Sequence, residues 1–202
     1  MTLRTGIPWL DRDLTGIETC YLYTPHTEIR QALLQRAVTT AMRDGPTLLL
    51  SPVNQKTGYY SFEPDRLFPH IKQKAGTSRE NLTIQRVDSQ KAVTEGYWAG
   101  LEHHDTILVD RLTNLRAGKL GERALERAAD GIDRSKASFL LIDTDPPFRA
   151  LSDAIQTVER LSWDSSGPVK ERMQHPDQPP LRERIRLDGQ KTLHQFAEAA
   201  LL

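Results

Sequence analysis

Short apolar runs alternate with helix-length segments along most of the chain, and this alternation limits the folds that it can adopt. The runs with strand character are Thr19–Tyr23, Pro46–Ser51, Leu82–Val87, Thr106–Asp110 and Ser138–Asp143. Four of these five are nearly continuous in Leu, Ile, Val or aromatic residues, as in strands buried on both faces of a parallel sheet. The predicted helices between them, with apolar residues three and four positions apart, are Glu28–Arg43, Pro64–Ala75, Gln90–Leu101 and Gly121–Arg134. These repeated strand–helix units predict an α/β fold with a twisted, mostly parallel sheet and flanking helices.

The pattern changes at the sequence DTDPPFR, where two adjacent prolines interrupt the chain. The next segment, Ala150–Leu161, is predicted to form a helix. Two short strands, Pro168–Gln174 and Leu181–Leu187, are separated by the proline-rich turn HPDQPP, which predicts a C-terminal antiparallel hairpin. Residues 188–202 are predicted to form a tail with a short amphipathic helix, which leaves residues 1–187 as the core.

Composition narrows the class of protein. The 202 residues, 38% apolar and 27% charged, are enough for one globular domain with a core. Lys plus Arg equals Asp plus Glu at 27 each, so a nucleic-acid surface would have to be a local patch. Cys20 is the only cysteine, which permits no internal disulfide. No apolar run reaches the ~18 residues of a membrane span, and the N-terminus resembles no signal peptide. We therefore expect a soluble, cytoplasmic protein.

The polar turn after the first strand bears on nucleotide binding. A phosphate-binding turn uses glycines to aim backbone N–H groups at the phosphates, a lysine to bridge them and a hydroxyl to hold Mg²⁺. Residues Tyr23–Arg30 contain no glycine and no lysine. Pro25 removes one N–H donor, and Glu28 would repel a phosphate. His26 and Arg30 are able to bind an anion, although a solvent-facing helix start is the plainer interpretation.

Four motifs, in order along nearly the whole chain, match those of one protein family. The first is TGIPWLDRDLTGIE, in which Thr5, Gly6, Leu10 and Asp11 match the family's opening. The second is EPDRLFPHIKQKAG, in which Pro64, Asp65, Arg66, Leu67 and Ile71 match a family helix. The third is TILVDRLTNLRAGKLGERALER, in which Asp110, Leu112, Thr113, Arg116, Ala117, Glu122 and Arg123 match the strand that carries the Walker B aspartate and the segment after it. The fourth, HPDQPPLRERIRL, is similar to the hairpin that closes the family's core. Together they resemble the RecA/RadA-type recombinase core, and the short length resembles its archaeal RadB branch.

The resemblance implies a RecA-like core that has lost its ATPase chemistry. In an alignment without gaps, Ile29 and Arg30 replace the phosphate-binding lysine and the Mg²⁺-binding threonine. Asn54 is the nearest polar residue to the position of the catalytic glutamate, and Asp143–Asp145 replace the family's sensor. Asp110 remains, but a lone aspartate cannot hold Mg²⁺–ATP without the loop and the lysine, so we interpret it as structural. The degenerate ATP site consists of His26, Thr27, Ile29, Arg30 and Asp110, and we expect no enzymatic activity, no cofactor and no metal.

A local positive stretch follows the Walker B-like strand. The DNA-binding candidates are Arg111, Arg116, Lys119, Arg123 and Arg127. The last four recur at three- and four-residue spacing, so they share one face wherever the segment is helical and can neutralise phosphates without reading sequence. Glu122 and Glu126 interleave with them, so a solvated helix face is the alternative. Arg182, Arg184 and Arg186 alternate along the last strand, where solvation is the favoured role.

The tail contains two overlapping peptide motifs. Gln190, Leu193 and Phe196 resemble the peptide that docks on the sliding clamp, PCNA. Phe196 and Ala199 also resemble the FxxA peptide through which recombinase protomers dock on one another. The third interpretation is a helix that packs on its own core.

The sequence therefore predicts a non-catalytic recombinase paralogue that acts as an accessory or adaptor protein in DNA repair, recombination or replication. Its expected partners are proteins, namely the clamp or a recombinase, with DNA as a further candidate. One alternative is a metal-dependent enzyme acting on DNA, with His26, Asp110, Asp143 and Asp145 gathered at the carboxyl ends of the strands. The other alternative is a structural subunit of a recombinase heteromer.

Overall fold

The structure, a computed structural model, describes residues 3–54, 81–88, 103–117 and 121–185. Within these ranges no helix is both long enough and apolar enough to cross a membrane. The elements in chain order are helix α1 (Pro8–Asp11), strand β1 (Thr19–Tyr23), helix α2 (Thr27–Asp44), strands β2 (Thr47–Pro52), β3 (Leu82–Val87) and β4 (Thr106–Asp110), a 3₁₀ helix (Leu112–Ala117), helix α3 (Gly121–Arg134), strand β5 (Ser138–Asp143), a 3₁₀ turn (Arg149–Leu151), and strands β6 (Thr157–Asp164), β7 (Gly167–Gln174) and β8 (Leu181–Arg184).

The eight strands form one sheet in the order β3-β2-β4-β5-β1-β6-β7-β8. All pairs from β3 to β6 are parallel, and β7 and β8 are added antiparallel. The predicted parallel sheet with a C-terminal hairpin is confirmed. Because the parallel strands point the same way, the ends of β1, β2, β4 and β5 meet at one edge, where Tyr23 pairs with Asp143 and Asp110 with Ile142.

Both faces of the sheet are covered, which explains the nearly continuous apolar strands. Side chains alternate between the faces: Cys20 and Leu22 pack with α2 and the N-terminal segment, whereas Tyr21 packs with α3. Phe139 and Leu140, neighbours on β5, are both fully buried on opposite faces. Each such side chain contributes about 1.5–3 kcal/mol to the free energy of unfolding.

The predicted helix Ala150–Leu161 is wrong. The chain instead makes a 3₁₀ turn and then enters β6, which pairs in parallel with β1. Leu151, Ile155 and Val158 do have helical spacing and do share one core, but they belong to a turn, a connection and a strand. The β-branched pair at the start of β6 favours the strand. The hairpin strand Leu181–Leu187 is shorter than predicted and ends at Arg184, and the predicted helices Pro64–Ala75 and Gln90–Leu101 lie outside the described residues.

The opening motif forms a tight turn against α2. The Asp11 carboxylate accepts hydrogen bonds from the Thr5 N–H at 2.7 Å, the Thr5 hydroxyl at 2.6 Å and the Gly6 N–H at 3.0 Å. Gly6 has φ +72°, and a Cβ added there would lie 2.1 Å from the Thr40 hydroxyl oxygen of α2. The turn therefore requires glycine both for its backbone angle and for its close approach to the helix.

Gly16 offers a matched control for this requirement, since its φ is +79° but no atom lies within 4 Å of an added Cβ. We expect Gly16→Ala to lower the free energy of unfolding by about 1–2 kcal/mol, the cost of a left-handed alanine. Gly6→Ala should lower it by a further 1–3 kcal/mol or so, because the added methyl group overpacks the contact with α2. Urea unfolding measures both changes. Equal losses in the two variants would contradict the role of the close approach.

Candidate functional site

The turn between β1 and α2 does not form a backbone nest for phosphate. None of residues 24–30 has a left-handed φ; in the described chain that conformation occurs at Gly6, Gly16, Arg111 and Gly167. His26 precedes α2 with φ −94°, and its side chain makes no capping hydrogen bond. Because a nest requires alternating right- and left-handed residues, this turn cannot direct several N–H groups at one anion.

The two residues at the positions of the family's lysine and threonine have different surroundings. Ile29, in the first turn of α2, is fully buried and packs in the core, so it presents no polar group to the sheet edge. Arg30 is 1% exposed, and its guanidinium donates a hydrogen bond to the carboxylate of Asp110, which is fully buried at the end of β4. Arg30 thus supplies the cation for the aspartate that the Walker B resemblance singles out.

Arg30 keeps its charge at neutral pH. Desolvation lowers the pKa of Arg30 to about 10, the charge of Arg111 acts in the same direction, and Asp143 opposes them. A guanidinium with this pKa is protonated at pH 7, so Asp110 has a permanent partner. Removing either member of a buried ion pair leaves an uncompensated charge, which makes the pair mutually dependent.

Arg111 joins β4 to the 3₁₀ helix in an uncommon conformation. Its φ is +58°, which costs energy for a residue with a side chain. The conformation lets its N–H donate to the Ile142 carbonyl at 2.9 Å and its carbonyl accept from the Asn114 N–H at 3.0 Å. The Asn114 amide in turn donates to the Pro52 carbonyl at 3.0 Å and accepts from the Asn54 amide at 3.5 Å. The end of β2 is thereby tied to the segment after β4.

Asp143 fixes the same segment from β5. Its carboxylate accepts hydrogen bonds from the Thr113 N–H at 2.9 Å, the Thr113 hydroxyl at 2.5 Å and the Thr144 N–H at 2.7 Å. Burial raises the pKa of Asp143, and these hydrogen bonds oppose the rise. Asp143 is therefore a structural acceptor at the position where the resemblance places a sensor.

The carboxylates that end β4 and β5 both have protein partners. Asp110 binds Arg30, and Asp143 binds Thr113 and Thr144. Among the residues that the structure describes, no three His, Cys, Asp or Glu side chains are grouped to hold a metal ion. The geometry gives no support to the metal-dependent alternative.

The DNA-binding candidates are only partly described. Arg123 and Arg127 are exposed on α3, whereas the side chain of Arg116 and all of Lys119 lie outside the described residues. The exposed charges of α3 are Arg123, Arg127 and Arg134 against Glu122, Glu126, Asp130 and Asp133, three positive and four negative. On the hairpin, Arg182 lies 3.2 Å from Glu171 and Arg184 lies 2.8 Å from Asp164. DNA contact stays a prediction, on a surface that carries its own acidic partners.

The tail candidates Gln190, Leu193, Phe196 and Ala199 also lie outside the described residues. The sequence identified Arg30 and Asp110 separately but not their pairing, and it missed the link between Thr113 and Asp143. The signal available in the sequence for the contact between Arg30 and Asp110 was the position of Arg30, next to the core residue Ile29 at the start of a helix. The second contact has no signal that a single sequence carries.

A double-mutant cycle tests the Arg30–Asp110 pair. Arg30→Met and Asp110→Asn should each lower the free energy of unfolding by about 3–5 kcal/mol, because each leaves a buried charge unpaired. The double variant should lose less than the sum of the two. Arg184→Met, which removes the exposed pair with Asp164, is the control and should leave the unfolding curve unchanged. Additive losses in the double variant would contradict a direct interaction between Arg30 and Asp110.

Comparisons with known proteins identify the fold to which this arrangement belongs. No protein-family model matches the sequence, and no curated protein matches it. A solved structure, the crystal structure of the RadB recombinase, is similar with a TM-score of 0.57 over 89% of this chain and 93% of that one, at 17% sequence identity. A likeness at this identity concerns the fold. The chain therefore has the fold of that structure, a RecA-like fold.

Proposed function

We propose that the chain is a non-catalytic recombinase paralogue, an accessory protein of DNA recombination and repair that binds protein partners. The observation that carries the proposal is the buried ion pair between Arg30 and Asp110. A Mg²⁺–nucleotide needs that carboxylate as part of its coordination shell, and here a side chain of the same protein neutralises it. The fold supports a role in recombination, and the ion pair supports the loss of hydrolysis.

Three further features support the same conclusion. The turn before α2 lacks left-handed residues, so it offers no phosphate nest. Ile29 is buried in the core and cannot bridge phosphates as a lysine does. The segment from Arg111 is already held by Asp143 and Asn114, so it needs no nucleotide to become ordered.

We expect no stabilisation of the protein by Mg²⁺–ATP in a thermal-shift or calorimetric titration. The test is sensitive, because about 1 mM nucleotide with a dissociation constant of about 1 μM would add about 4 kcal/mol to the free energy of unfolding. ATP with EDTA serves as the control for non-specific anion effects. A Mg²⁺-dependent shift that Asp110→Asn abolishes would contradict the proposal.

The partner is proposed to dock on the tail, residues 188–202, whose two motifs share Phe196. Phe196→Ala should abolish co-precipitation with either the sliding clamp or a recombinase. Gln190→Ala should weaken binding only to the clamp, since the FxxA motif does not use it. Ala199→Leu should weaken binding only to the recombinase, since a small residue is required there.

Gln190→Ala and Ala199→Leu are thus controls for each other, and deletion of residues 188–202 is the reference for complete loss of binding. Binding to a recombinase that survives this deletion would contradict docking through the tail. That result would favour the alternative of a heteromer assembled through the core.

A further inference from the structure

The N-terminal segment, residues 3–17, is attached to the hairpin strands through buried charges. The charge cluster consists of Asp13 from this segment, Glu159 from β6, Lys170 and Arg172 from β7 and Glu183 from β8. Four of its members, all except Glu183, are at most 5% exposed. Charges buried to this degree are costly unless each has a partner, so the arrangement of pairs within the cluster matters.

Asp13 accepts most of the hydrogen bonds that the two cations of the cluster donate to its carboxylates. Its Oδ2 accepts from Lys170 Nζ at 2.5 Å and from Arg172 Nη2 at 2.7 Å. Lys170 Nζ also lies 2.9 Å from Glu183 and 5.9 Å from the centre of the Trp9 ring in α1. These contacts attach the segment to the hairpin at two points, Trp9 in α1 and Asp13, two residues beyond the end of that helix.

Glu159 has few favourable contacts within the charge cluster. It is fully buried, and neither of its carboxylate oxygens accepts a hydrogen bond from the described residues. Its nearest cationic atom is Arg172 Nε at 3.6 Å, on a guanidinium that already donates to Asp13. The charged and titratable groups that face it are Lys170 and Arg172 from β7, Asp13 from the N-terminal segment, Glu183 from β8 and Cys20 from β1.

Burial raises the pKa of Glu159 from 4.5 to about 7, with Lys170 and Arg172 opposing the rise and Asp13 and Glu183 adding to it. The carboxyl group thus changes its charge near neutral pH. When it is protonated, Asp13 and Glu183 balance the two buried cations. When it ionises, a third carboxylate competes with Asp13 for Arg172 and repels Asp13 across the interface between the segment and the hairpin.

We propose that residues 3–17 form a proton-controlled latch on the hairpin, tightly closed when the Glu159 carboxyl group is protonated and loosened when it ionises. Local opening hydrates Glu159 and separates it from Asp13, which relieves both costs. The latch is independent of the proposed loss of ATP binding, because no residue of the Arg30–Asp110 site takes part in it.

The sign and size of the effect follow from linkage. A carboxyl group whose pKa is higher in the closed state stabilises closure at low pH, and this contribution declines as the pH rises from 4.5 to about 7. If opening returned Glu159 to its ordinary pKa, the opening constant would rise up to roughly tenfold between pH 6 and pH 8.

Hydrogen–deuterium exchange at pH 6 and pH 8, corrected for the intrinsic rates, measures the opening directly. We expect the protection of amides in residues 3–17 to fall up to roughly tenfold at pH 8 while β4 and β5 keep theirs. Glu159→Gln should abolish this pH dependence and keep the segment protected at both pH values. Glu171→Gln, the same substitution on β7 in a residue paired with Arg160, is the matched control and should preserve it.

Two outcomes would overturn the latch. The first is that residues 3–17 lose no protection at pH 8, or that β4 and β5 lose as much, since either result shows that the segment does not open by itself. The other is a pH dependence that persists in Glu159→Gln. If that variant fails to fold, carbon-13 titration of the Glu159 carboxyl group in the native chain decides the matter, and a midpoint near 4.5 would overturn the proposal.

Discussion

The buried ion pair between Arg30 and Asp110 organises the carboxyl edge of the sheet. It joins the first turn of α2 to the end of β4 in a region where neither charge reaches solvent. Arg111 begins the next segment in a left-handed conformation, and Asp143 holds that segment at Thr113. The contacts of Arg111 and Asp143 depend on β4 and β5 ending side by side, which the sheet order provides. The Arg30–Asp110 pair places a cation and an anion in contact at this edge, so that each buried charge has a partner.

Sequence patterns predicted the buried parallel strands well, because residues such as those of β4 and β5 are apolar on both faces and require cover from helices. The pattern failed at β6, where Leu151, Ile155 and Val158 imitate one helix face although they come from three different elements. That error also hid Glu159, since a glutamate in an amphipathic helix is expected to face solvent. Tertiary pairing with β1 decided the conformation, and a local pattern does not report such a pairing.

The site was predictable in its residues and not in its contacts. The gap-free alignment of the first helix selected Arg30, and the Walker B resemblance selected Asp110. Their contact depends on how far α2 lies from β4 across the sheet, which no spacing along the chain specifies. The charges of the hairpin show the same limit: Arg182 and Arg184 were expected to be solvated, and no local pattern shows that they pair with Glu171 of β7 and Asp164 at the end of β6.

The position of β1 has a consequence for how the molecule forms. This early strand lies between β5 and β6, so both of its neighbours come from the far half of the chain. Until those strands emerge from the ribosome, β1 has two unpaired edges and two apolar faces. Sheets closed by such distant pairings fold slowly and expose aggregation-prone intermediates. Productive folding of this chain therefore waits until β5 and β6 have been synthesised, because only then can both edges of β1 be paired.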